Sequence, residues 1–212
     1  MAMPSPRFDD HDEAISQRNP TPSRDGRAAS TIRRTAAKSS GPTGGPAASR
    51  AAPGGTLPAV DRQALLDRFR TGYDDVVNAL DGITPDDLDR RPPGSDWTAR
   101  EIAHHLADSE ATAYIRLRRL LAEDDPVIQG YDEERFARRL HYDRPIEPSL
   151  AVLRAVRVAS LQLLEALTPE EWQRAGTHSD SGAYSVEDWL RIYAGHSHDH
   201  ADQIRRARRG EA

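Results

Sequence analysis

Three histidines stand where they could act together: His105, in His104-His-Leu-Ala-Asp-Ser-Glu110, and His196 and His200, in Tyr193-Ala-Gly-His-Ser-His-Asp-His200. Neutral imidazoles ligate divalent metals and also serve as buried hydrogen-bonding groups. A convergent trio is therefore either a metal site or a set of core histidines satisfied by other partners. The spacing alone does not choose, because the chain holds 8 histidines in 212 residues and a pair four apart is a weak motif. Leu106, Tyr114, Trp189 and Ile192 surround the three with apolar residues, so the trio is expected to look inward.

The elements that must position them are helices with legible starts. Thr98-Ala-Arg-Glu101 and Ser185-Val-Glu-Asp188 are capping signals. His105 falls seven residues after the first cap, and His196 and His200 fall eleven and fifteen after the second. Steps of four keep side chains on one helical face, so two helices can bring three imidazoles together. His104 points about 100° away from His105, and His198 about 200° away from His196, so both are expected to be bystanders. His141 and His178 read as solvated loop histidines.

Four segments show helical periodicity: 61–80, 98–122, 149–167 and 185–209. Strand-like alternation is absent. Ile83-Thr-Pro-Asp-Asp-Leu-Asp-Arg90 after the first helix and Leu167-Thr-Pro-Glu-Glu-Trp-Gln-Arg174 after the third form a weak internal duplication, each with a Thr that can cap a short turn. Two helix pairs make an all-α four-helix bundle. The connection 124–148 between the second and third helices is too long for a simple turn and is expected to cross over, with a short helix near 132–140 and with Tyr131, His141 and Tyr142 near a bundle end.

Composition bounds the rest. Residues 1–56 are rich in Ala, Ser, Pro, Gly and Arg with few large apolar side chains, and read as a disordered tail; 57–212 form the folded domain. Of 29 basic and 34 acidic side chains, 8 and 5 lie in 1–56, which leaves 21 and 29, a net charge of −8, for 57–212. That balance argues against nucleic acid or a membrane surface as partner. No 18-residue apolar run and no secretory signal is present, so a soluble, cytoplasmic protein is expected. Cysteine is absent, so any metal must be held by nitrogen and oxygen.

The stretch Trp97-Thr-Ala-Arg-Glu-Ile-Ala-His-His-Leu-Ala-Asp-Ser-Glu110, with Ala113-Tyr-Ile-Arg116, Glu123-Asp-Asp-Pro126, Tyr131-Asp-Glu133 and Tyr193 to His200, resembles the DinB-like superfamily, and especially its YfiT-like branch of metal-dependent hydrolases and thiol S-transferases. The resemblance covers nearly all of 57–209. It implies a four-helix bundle holding one divalent metal on His105, His196 and His200, and a homodimer formed by bundle faces. His105 is chosen over His104 because it precedes Leu-Ala-Asp, and His200 because it precedes Ala-Asp-Gln203-Ile204.

Three histidines leave coordination positions open and the full charge on the ion, which acidifies a ligated water toward a pKa of about 7. Zinc is the default, with nickel the next nitrogen-preferring ion. Ser197 stands where a zincin peptidase carries its glutamate, which argues against that class. Asp108, three residues after His105, is placed to orient that imidazole, to accept a proton from water, or to be a plain helix-face carboxylate. Hydrolysis of a small-molecule substrate ranks first, transfer of a low-molecular-weight thiol to an electrophile second, and a non-catalytic, stress-associated metal protein third.

Overall fold

The computed structural model describes residues 59–94 and 97–211. The expected tail over 1–56 lies outside the described residues. Four long helices dominate: α1 (Ala59–Leu80), α3 (Ala99–Ala122), α5 (Glu147–Glu165) and α6 (Val186–Arg209), with a single turn α2 (Pro85–Leu88) and a short α4 (Glu133–Arg139) between them. These are the four helices and the crossover helix that the periodicity predicts. Around the bundle α1 packs against α6 and α5, and α3 packs against those same two helices.

Both capping boxes form. Thr98 accepts from Glu101 N while Glu101 accepts from Thr98 N, and Ser185 and Asp188 exchange the same pair of bonds. The duplicated Thr-Pro turns are capped in the same way, Asp87 N donating to Thr84 Oγ1 at 3.1 Å and Glu171 N to Thr168 Oγ1 at 3.3 Å. The first copy continues as α2; the second makes only a 3₁₀ turn, Glu171–Gln173.

The expectation of no strands is corrected. A three-stranded sheet is formed by β1 (Val127–Ile128), β2 (Ala175–His178) and β3 (Gly182–Ser185), with β1 parallel and β3 antiparallel to β2. Strands of two to four residues are too short to show alternation, which is why the pattern hid them. His178, read as a loop residue, ends β2 and meets the Tyr184 ring edge-on at 5.5 Å. Gly176 is required here, because an added Cβ would collide with the Pro126 carbonyl oxygen. Arg174 clamps the same corner, donating to Leu120 O at 3.0 Å and Glu123 O at 2.6 Å at the end of α3. The sheet thus staples the crossover to the α5–α6 connection.

The apolar interior comes in two parts. One gathers Leu66, Phe69, Leu117, Leu120, Leu164, Trp189 and Leu190; the other gathers Val76, Ala79, Ile102, Leu106, Leu153, Ala201 and Ile204. On each long helix the boundary falls at small or polar residues: Gly72 on α1, Glu110 on α3, Arg157 and Ser160 on α5, and Ser197 on α6. A buried polar seam therefore crosses the bundle between two dry halves.

Candidate metal centre

The seam runs beside the histidines. The cap at Thr98 sets the phase of α3 so that His105 faces inward, and the cap at Ser185 does the same for His196 and His200 on α6. One ring nitrogen from each of the three lies within 4.8 Å of the others. Ring centroids are 4.8 Å apart for His105 and His200, 5.6 Å for His105 and His196, and 4.7 Å for His196 and His200. His105 is buried and the other two are half-buried, so the group opens on the α6 side. Leu106 and Trp189 are buried as expected, but Ile192 is 45% exposed and forms no wall of the site. It stands one turn before His196 on α6, where the ring that meets His196 is that of Tyr193, at 5.6 Å between centroids.

Each imidazole is prepared differently. His200 Nδ1 donates to Gln203 Oε1 at 2.8 Å, and His196 Nδ1 faces Glu110 Oε1 at 3.4 Å, which leaves Nε2 of both free to offer a lone pair. His105 Nδ1 is buried with no hydrogen-bond partner. The Trp97 ring meets the His105 ring edge-on at 4.9 Å. Burial, followed by the neighbouring His200 and His196, holds His105 down to about 2, and burial with His196 holds His200 down to about 3. These rings are neutral nitrogen donors at physiological pH. A nitrogen-only donor set, one orphaned buried nitrogen and free lone pairs at close quarters fit a divalent metal ion.

Among the described residues this group contains no carboxylate. Asp108 does not hydrogen-bond His105; its Oδ2 accepts from Tyr142 Oη at 2.7 Å. Burial and the Asp108 carboxylate push the Tyr142 phenol well above its ordinary value, so it remains a donor. The two expected bystanders stay out of the group but have structural work. His104 Nε2 donates to Arg144 O at 3.0 Å and its Nδ1 accepts from Ser149 Oγ at 2.8 Å, joining α3 to the start of α5. His198 lies 2.7 Å from Asp75 Oδ2 and 2.9 Å from Arg68 O, joining α6 to α1. His141 is exposed and outside the group.

Sequence reasoning missed Glu110, Arg157 and the role of Gln203. Glu110 and Arg157 are paired in the core at 2.5 Å. The available signal was one charge on the inward face of each of α3 and α5, which must find a partner; which partner is set by the fold.

Comparison with known proteins follows the same lines. The model of the DinB superfamily matches residues 68–204. A protein of Oceanobacillus iheyensis, provisionally named a metal-dependent hydrolase, is 37% identical over 129 residues, 61% of this chain and 75% of the relative. YfiT of Bacillus subtilis, with the same provisional name, is 34% identical over 132 residues, 61% of this chain and 74% of its own. The solved structure of YfiT, described as a probable metal-dependent hydrolase with an unusual four-helix bundle topology, superposes with a TM-score of 0.69 at 27% identity, covering 76% of this chain and 95% of that one. A mycothiol-dependent maleylpyruvate isomerase shares the fold at a TM-score of 0.56 and 12% identity, over 70% of this chain and 61% of the isomerase.

Proposed function

The chain belongs to the DinB superfamily, and from that membership and its histidine group we propose that it is a metal-dependent hydrolase of a small-molecule substrate, with His105, His196 and His200 as the ligands of one divalent ion. The observation that carries the reading is a trio of ring nitrogens within 4.8 Å with no carboxylate among the described residues of the group. A structural site would be closed by a fourth protein ligand; three histidines leave room for water and substrate. An ion held there supplies Lewis acidity and brings the pKa of a ligated water to about 7. Zinc is the proposed ion, with nickel as the alternative.

The chain's own groups do the rest. Gln203 fixes the His200 tautomer so that Nε2 faces the site. Trp97 and the dry core around Leu106 keep bulk water from the buried side of His105. Asp108, aimed by the Tyr142 hydroxyl, is the proposed proton acceptor, taking a proton from attacking water and returning it to the leaving group. Orientation of His105 by Asp108 has no hydrogen bond to support it.

The test is metal content by inductively coupled plasma spectrometry together with turnover of aryl esters and amides, with and without a low-molecular-weight thiol and an electrophile. Expected are one divalent ion per chain, ester turnover without thiol that a chelator abolishes, loss of most metal on replacing His105, His196 or His200 by Ala, and a fall of about 10²-fold to 10⁴-fold in turnover for Asp108→Asn at saturating metal. Turnover only in the presence of both thiol and electrophile moves the reading to a thiol transferase. A chain that retains no divalent ion overturns it.

A further inference from the structure

We infer that Glu110, held by Arg157, is a positioning residue for His196: its carboxylate selects the imidazole tautomer that presents Nε2 to the ion. This rests on the metal reading above. Both charged side chains are almost wholly buried, Glu110 at 2% and Arg157 at 4% exposure. Three donors from two helices converge on a single oxygen, Glu110 Oε1: Arg157 Nη1 at 2.5 Å, Ser197 Oγ at 3.3 Å and His196 Nδ1 at 3.4 Å. Arg157 is itself anchored at 2.5 Å to Phe69 O on α1 and at 3.4 Å to Tyr193 O, one turn before His196 on α6. Gly72 makes room for it, since an added Cβ would lie 2.6 Å from Arg157 Nη2.

A buried ion pair is a poor way to hold helices together, because removing two charges from water consumes most of what their attraction returns, and apolar residues of similar volume often do as well. The location of this pair supplies the reason for it. An imidazole has two neutral tautomers, and only the one protonated at Nδ1 offers Nε2 to a ligand. A carboxylate facing Nδ1 favours that tautomer, as Gln203 Oε1 does for His200. Alone, that carboxylate would be an uncompensated buried charge. Arg157 offsets it and, through Phe69 O, fixes where it sits.

The experiment separates positioning from packing. The double replacement Glu110→Met with Arg157→Met removes both charges and fills the space, so the intact chain is expected to fold with a melting temperature near that of the parent while its zinc affinity falls about 10-fold to 100-fold. Glu110→Gln with Arg157→Met also removes both charges but keeps an oxygen facing His196, and is expected to restore affinity to within a few-fold of the parent. In the chelated protein, long-range ¹⁵N–¹H spectra of labelled histidine should show His196 protonated at Nδ1 in the parent and the Gln variant, and mixed tautomers in the Met variant. Parent affinity and parent tautomer in a folded Met variant overturn the inference. So does a parent His196 protonated at Nε2, a measurement that needs no variant. A parent that binds no zinc defeats the metal reading, and the tautomer spectra still decide the role of Glu110.

Discussion

Two of the imidazoles packed between the helices, His105 and His200, resist taking up protons, and that resistance can be measured. His105 and His200 are held to about 2 and about 3, from an ordinary value near 6.5, chiefly by burial. Both remain neutral in the folded chain over a range where the unfolded chain would protonate them. Their folded values are depressed, so unfolding takes up protons and stability is lost as pH falls from about 6.5 toward 3. Each is expected to contribute up to about 1.4 kcal/mol per pH unit to that loss in chelated protein. Urea unfolding from pH 7 to pH 4, set against His105→Gln with His200→Gln, checks it; parallel curves for the two proteins would refute the expectation. That His105, His196 and His200 could converge was legible because each is counted from a local capping signal, while the choice of His105 over His104 came from the family resemblance. Glu110 was not, since its meaning depends on Arg157, 47 residues away, and His196, 86 away. The course of Asp108 toward Tyr142 was hidden for the same reason: it depends on where a 25-residue crossover returns to the bundle.

At the level of elements, the long helices were readable from period and caps, while the sheet was not. Its strands are specified by a carbonyl-to-amide fit between Pro126 and Thr177, 2.9 Å, and between Ile128 and Ser179, 2.8 Å, contacts that leave no periodic trace in the sequence. The close approach of other helices at Gly72 is equally silent. Gly72 sits on α1 where alanine would ordinarily favour the helix by about 1 kcal/mol. Here a methyl would press on Arg157 Nη2 and lie 3.0 Å from Ser197 Cβ. Gly72→Ala is therefore expected to lower stability by about 1–2 kcal/mol net, as overpacking outweighs propensity. A rise in the urea midpoint would show instead that the guanidinium yields.

For the molecule as a whole, the buried core residues among the described ones run from Leu66 on α1 to Ile204 on α6. A chain starting at Leu57 is expected to keep the melting temperature to within a few degrees and the metal stoichiometry of the full chain. Calorimetry on the two proteins decides this, and a large drop would assign the tail a part in the fold. No helix among the described residues is long and apolar enough to cross a membrane.

The polar seam has a consequence for how the helices line up along their axes. Layers of leucine, isoleucine and alanine are nearly interchangeable, so a helix sliding by one turn, about 5.4 Å, exchanges one apolar neighbour for another at modest cost. Arg157 permits no such slide. One turn would carry its guanidinium off Glu110, off Phe69 O and out of the notch at Gly72, stranding a charge among leucines at a cost of about 3–5 kcal/mol. Glu110 shares α3 with His105, and Ser197 is the neighbour of His196 on α6, so whatever aligns the seam aligns the imidazoles. The seam works as a vernier containing no metal. Small zinc domains fold only around their ion; this chain is expected to show the same far-ultraviolet circular dichroism with and without zinc, and to load the ion in a single rapid step onto helices already in register.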